Sequence, residues 1–221
     1  MVQLKSYQNL ALLQNLYRLK AIGFEYIDHF TENINIEYET PSTLLELSST
    51  ISSCYLCDLS KSRKQSMSGF GNENADLFIL DFSVSQAQDS TNQYYTSRSG
   101  EILKNMIENV IGLRIEDVYL THAVKCKPLN SNKPSPSEYN SCKAYLYAQL
   151  DSIKPKVVVT LGNEAYSNFT GDDDNFENIR GHVIDFKEYK LIPIHHPSHL
   201  LRNPDLKKIT LNDLKTIKSS L

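Results

Sequence analysis

The stretch Val157-Val-Val-Thr-Leu161-Gly162-Asn163 decides the fold class. Its first five residues are too few for a helix. They are also too uniformly apolar and β-branched for a strand with one wet face, so they read as a strand buried on both faces. Gly162 closes the run, and Asn163–Phe169 continues as a helix. A buried strand feeding straight into a helix is half of a strand–helix–strand unit. Three further runs repeat the pattern: Leu77–Phe82 (LFILDF), Val118–Val124 (VYLTHAV) and Leu191–Ile194 (LIPI). Helical patterns lie between and after them. Ser99–Val110 gathers Ile102, Met106, Ile107 and Val110 on one side. Ser137–Ile153 opens on Ser137 as cap and stops at Lys154–Pro155, and Asp205–Lys218 closes the chain. The alternation predicts a three-layer α/β/α sandwich around a central, mostly parallel four-stranded sheet, spanning residues 51–221. Residues 1–50 read as a helical N-terminal extension with a polar break at Thr40, Pro41 and Ser42.

In such sheets the site lies outside the carboxyl ends of the strands. Those ends carry Asp81-Phe82-Ser83, Thr121-His122, Gly162-Asn163 and His195-His196-Pro197. No stretch approaches the roughly 18 apolar residues of a membrane span. The first twenty residues form an amphipathic pattern without the apolar core and cleavage site of a signal peptide, so the expected location is cytoplasmic. Net charge is −3, which argues against a strong non-specific nucleic-acid binder. Basic residues still cluster locally, as Lys61/Arg63/Lys64, Lys125/Lys127/Lys133 and Arg202/Lys207/Lys208.

There are four cysteines: Cys54 and Cys57 in a CxxC, then Cys126 and Cys142. In a reducing compartment that count favours a metal centre over disulfides. Four thiolates suit tetrahedral zinc or a [4Fe–4S] cluster, and spacing alone does not separate the two.

The chain resembles the family 4 uracil-DNA glycosylases. The resemblance runs from Cys54 to about Lys208. It is carried by Cys54-Tyr-Leu-Cys57 with the following Arg63, Thr121-His-Ala-Val-Lys-Cys-Lys-Pro128 against the family's TNVVKCRP, and Pro134, Glu138 and Cys142. Thr160-Leu-Gly-Asn-Glu-Ala165, Arg180-Gly181 and His196-Pro-Ser198 followed by Leu200-Leu-Arg202 complete it. The resemblance implies that Cys54, Cys57, Cys126 and Cys142 hold a structural [4Fe–4S] cluster. It implies a DNA glycosylase, a hydrolase of base-excision repair, whose partner is DNA containing uracil or another deaminated base. No membrane partner is expected, and the chain is taken as a monomer. His196 is the expected donor to the leaving base and Tyr95 the expected ring stacking on it. Phe82, Ser83, Ser198 and Arg202 are expected to contact substrate. Two positions depart from the family. Its GEAPG falls on Asp81-Phe-Ser-Val-Ser85, leaving Asp81 as the carboxylate at hand, and its asparagine of TNVVK is His122, placed with the catalytic and substrate-binding set. A weakened or inactive iron–sulfur DNA-binding module of the same fold is the alternative. A protein-interaction role with residues 1–50 as the docking element is a third reading.

Overall fold

The computed structural model describes residues 43–129 and 133–221, together with Tyr17. The expected N-terminal extension therefore lies outside the described residues up to residue 42, Tyr17 apart. In chain order the strands are β1 (Phe70–Gly71), β2 (Leu77–Ser83), β3 (Tyr119–Val124), β4 (Val157–Leu161), β5 (Ile184–Phe186) and β6 (Tyr189–Ile194). The helices are α1 (Leu44–Ser52), α2 (Leu59–Ser62), α3 (Gln86–Thr91), α4 (Arg98–Asn105), α5 (Pro136–Ile153), α6 (Gly162–Thr170), α7 (Phe176–Ile179), α8 (Pro197–Arg202) and α9 (Leu206–Ser220). Among the described residues, no helix is long and apolar enough to cross a membrane.

All four apolar runs are strands, and they pair in parallel in the order β3-β2-β4-β6. Two short antiparallel strands flank this core, β1 beside β3 and β5 beside β6. Two or three residues carry no readable alternation, so neither ribbon has a sequence signature.

Alternation along each strand sends side chains to two cores. Leu77 and Ile79 of β2, Leu120 of β3, Val157, Val159 and Leu161 of β4 and Ile192 and Ile194 of β6 pack with Leu103, Met106, Ile107, Leu214 and Ile217. Phe78, Leu80 and Phe82 of β2 turn the other way, onto Tyr139, Leu146 and Leu150 of α5 and Ala165 and Phe169 of α6. Helices thus cover both faces, as expected. A third cluster joins Leu47 and Ile51 of α1 to Cys142, Tyr145 and Ala148 of α5.

The helix over residues 136–153 begins two residues earlier than Ser137 suggests. Ser135 is its cap: the Ser135 hydroxyl accepts from the Glu138 N–H at 3.3 Å, while Glu138 accepts from the Ser135 N–H at 2.6 Å. Pro136 then occupies the first helical position, where its missing N–H is no loss. The helix over residues 98–105 continues into a π-helical turn, Met106–Ile111.

Candidate active site

Counting in twos along each strand places the chemistry. Asp81 follows Ile79, His122 follows Leu120 and His196 follows Ile194, so all three project from one face of the sheet at its carboxyl edge. Phe82 follows Leu80 to the opposite face, where its ring meets Tyr139 at 6.4 Å. The register pairs Asp81 of β2 directly with His122 of β3.

His196 caps α8. Its Nδ1 accepts the Ser198 N–H at 3.0 Å and lies 2.7 Å from the Ser198 hydroxyl. With Nδ1 accepting from an obligate donor, the neutral ring carries its proton on Nε2. That Nε2 faces Asp81 Oδ2 at 3.4 Å, and Asp81 Oδ1 accepts the Phe82 N–H at 2.7 Å. Burial pushes the Asp81 carboxyl up, but the His196 and His122 rings facing it outweigh burial and hold it below the usual carboxylate range. Burial pulls His196 down, and the Asp81 charge outweighs it and raises the imidazole above its ordinary value. Gly162 makes room for this ring. Its φ is +84°, and a Cβ there would lie 3.2 Å from His196 Cβ.

His122 is fully buried. Its Nε2 lies 3.9 Å from Asp81 Oδ2, neither ring nitrogen has a hydrogen-bond partner, and its ring stacks on Tyr94 at 5.4 Å and 25°. Burial lowers its pKa to about 4, so it is neutral at pH 7. An unfolded chain takes up this proton near the ordinary histidine value of 6.5, whereas the folded chain resists until about pH 4. The contribution is intact above the unfolded value and is lost as pH falls through that window, on the order of 3 kcal/mol by pH 4. The stability difference between pH 7 and pH 4.5, measured by urea unfolding, is therefore expected to shrink in His122→Asn. An unchanged difference would show that His122 is not held neutral.

Asp81 and His196 border a cavity of ≈ 680 Å³. Its wall includes Asp81, Phe82, Ser83, His196, Ser198 and Arg202. His122 stands behind Asp81 rather than on the wall. Tyr95, expected to offer its ring, is not on the wall either. It packs edge-on to Phe70 at 6.0 Å, and its hydroxyl is buried without a partner. Tyr94 lines the cavity instead. The turn that decides between them is Asn92, whose left-handed φ of 55° ends α3. Gap-free counting along the sequence does not register that reversal. Lys127 and Lys133 also line the cavity, with Lys133 paired to Glu164.

Of the other basic candidates, Lys125 and Arg63 serve the interior, whereas Lys61, Lys64, Lys207 and Lys208 are exposed. Lys125 is 1% exposed, and its Nζ donates to Thr121 Oγ1 at 2.7 Å and Gln149 Oε1 at 2.5 Å. Burial lowers its pKa to about 7. Arg63 donates to Cys126 Sγ at 3.0 Å and to the carbonyls of Ser52 and Cys54 at 2.9 and 2.7 Å. The arginine thus ties the two cysteine segments together.

All four cysteines border one small cavity, and the Lys125 N–H donates to Cys142 Sγ at 3.3 Å. Burial raises the pKa of Cys57 to about 11, that of Cys142 to about 12, and that of Cys126 as well. Among the described residues no three Cys, His, Asp or Glu side chains converge as ligands of a single metal ion. The thiols surround a space rather than meet at a point.

The uracil DNA glycosylase superfamily model matches residues 68–215. The type-4 uracil-DNA glycosylase of Thermotoga maritima is 35% identical over 185 residues, covering 81% of this chain and 96% of that one. The type-4 uracil-DNA glycosylase of Archaeoglobus fulgidus is 34% identical over 175 residues, covering 76% of this chain and 87% of that one. That of Sulfurisphaera tokodaii is 31% identical, covering 80% and 84%. With this fold, this sheet edge and these matches, the chain belongs to the uracil DNA glycosylase superfamily, alongside its type-4 members.

Proposed function

We propose that the chain hydrolyses the N-glycosidic bond of uracil, or of another deaminated base, in DNA. The observation that carries this reading is the convergence of His196, just beyond β6, and Asp81 of β2 on one cavity at the sheet edge. The base must leave the duplex stack to enter such a cavity. As the bond from C1′ to the base breaks, the pair of electrons goes to the base, whose oxygen becomes anionic. The Nε2–H of His196, oriented by the Ser198 N–H, is the donor for that oxygen. The sugar left behind is cationic. The ionised Asp81 carboxylate stabilises it and accepts a proton from the water that adds to C1′. In the free protein these two groups face one another, so the entering base separates a donor from its resting acceptor. Lys127, Lys133 and Arg202 at the cavity supply positive charge for the flanking phosphates.

The cysteines suit a four-thiolate [4Fe–4S] centre. Four thiols ring one space, and two hydrogen-bond donors reach their sulfurs, Arg63 to Cys126 and the Lys125 N–H to Cys142. Cys54, Cys57, Cys126 and Cys142 would hold the cluster, one thiolate per iron, and it would act as a structural staple.

A gel assay on strands carrying uracil, hypoxanthine or xanthine, followed by alkaline cleavage at abasic sites, tests the reading. Cleavage at uracil is the expected result. An intact strand in all three cases would leave the DNA-binding module as the better description.

A further inference from the structure

We propose that the hollow between Phe70, Tyr94 and Tyr95 is a stacking site for the nucleobase next to the flipped nucleotide; this rests on the glycosylase reading of the neighbouring cavity. The hollow measures ≈ 410 Å³, and Asn92 and Gln93 supply polar groups at its edge. Its outer ring is Phe70, which stays 38% exposed although it sits on a sheet edge. Phe70 lies 5.8 Å from the Tyr94 ring at 31° and 6.0 Å from the Tyr95 ring at 81°.

The backbone under Phe70 packs closely on β3. Gly69 has φ +132°, and a Cβ there would lie 2.1 Å from the Tyr119 hydroxyl. Gly71 has φ +118°, and a Cβ there would lie 1.7 Å from the Val118 carbonyl oxygen. The Gly69 N–H also donates to the Tyr94 hydroxyl at 2.6 Å. Glycine on both sides lets the chain pass close against Tyr119 and Val118 while the Phe70 ring lies beside Tyr94 and Tyr95. A ring already packed against two others loses less conformational freedom when a flat partner settles on it.

The occupant follows from position and chemistry. Tyr94 borders both this hollow and the catalytic cavity. The two are therefore separated by one side chain, and a base adjacent to the flipped one reaches the second. An aromatic floor with amide edges suits a planar heterocycle with polar rims, and such stacking is tolerant of base identity.

The test uses single strands carrying 2′-fluoro-2′-deoxyuridine, whose glycosidic bond resists cleavage, and matched strands in which both flanking nucleotides lack bases. Phe70→Ala and Phe70→Leu are expected to raise Kd about tenfold on the ordinary strand and to leave it unchanged on the abasic-flanked strand. Phe70→Leu keeps apolar packing and removes only the aromatic face, so its agreement with Phe70→Ala separates stacking from misfolding. Unchanged Kd on the ordinary strand, or an equal loss on both strands, would overturn the site. Uracil release from cleavable strands by the unsubstituted protein is measured separately. Its absence, with the base-dependent Kd intact, would strike the glycosylase reading and leave this one standing.

Discussion

His196→Asn is expected to lower kcat for uracil release by about 10²–10³-fold while changing Tm by only a few degrees. The choice of asparagine matters. His196 caps α8 by accepting the Ser198 N–H. Asparagine is among the best residues at a helix cap, so the local fold survives. Its amide is too short to carry a donor to the place where Nε2 now stands, 3.4 Å from Asp81. The variant therefore removes the donor to the departing base and little else, and loss of one such donor typically slows a reaction by that factor. Single-turnover rates on a uracil-containing strand check it. A rate within a few fold of the unsubstituted protein would transfer the role to another group. The same loss accompanied by a collapse in Tm would mean that the cap, not the donor, had been measured.

Cys142→Ser is expected to yield colourless protein that is poorly folded at 37 °C. Cys142 sits on α5 between the sheet and the α1 cluster, and it is buried. Serine is similar in shape, but its hydroxyl does not ionise to replace a thiolate ligand. Three thiolates then face a site built for four, and metal binding of this kind is itself folding free energy. Visible absorbance, iron and sulfide analysis, and a thermal melt read the outcome together. Iron with sulfide in the unsubstituted protein supports the cluster, and zinc in its place would refute it. A soluble variant with unchanged Tm would show that the cysteines are not a staple.

The parallel core was legible because each strand is buried on both faces and leaves an unbroken apolar run, as in Val157–Leu161. The strand ends followed, and with them Asp81 and His196. The choice between Asp81 and Phe82 was also within reach, since the spacing from Ile79 already places Asp81 on the face that His196 shares. Tyr94 was not within reach. It and Tyr95 are adjacent aromatics, and the left-handed Asn92 two residues earlier sets which ring enters the cavity. Nor does the sequence reveal that Lys125, one of three clustered lysines, is buried, because its partners Thr121 and Gln149 are brought to it only by folding. Ser135 was missed as a cap although Pro136 marks the first helical position beside it.

Strand β3 carries His122 at the catalytic edge and runs on within four residues to Cys126, while Lys125 between them is bound into the sheet interior. One strand thus links the cavity at the sheet edge to the four-cysteine space, with only three residues between His122 and Cys126. A shift of the thiols therefore has a short covalent path to the ring behind Asp81, and the two regions move together or not at all.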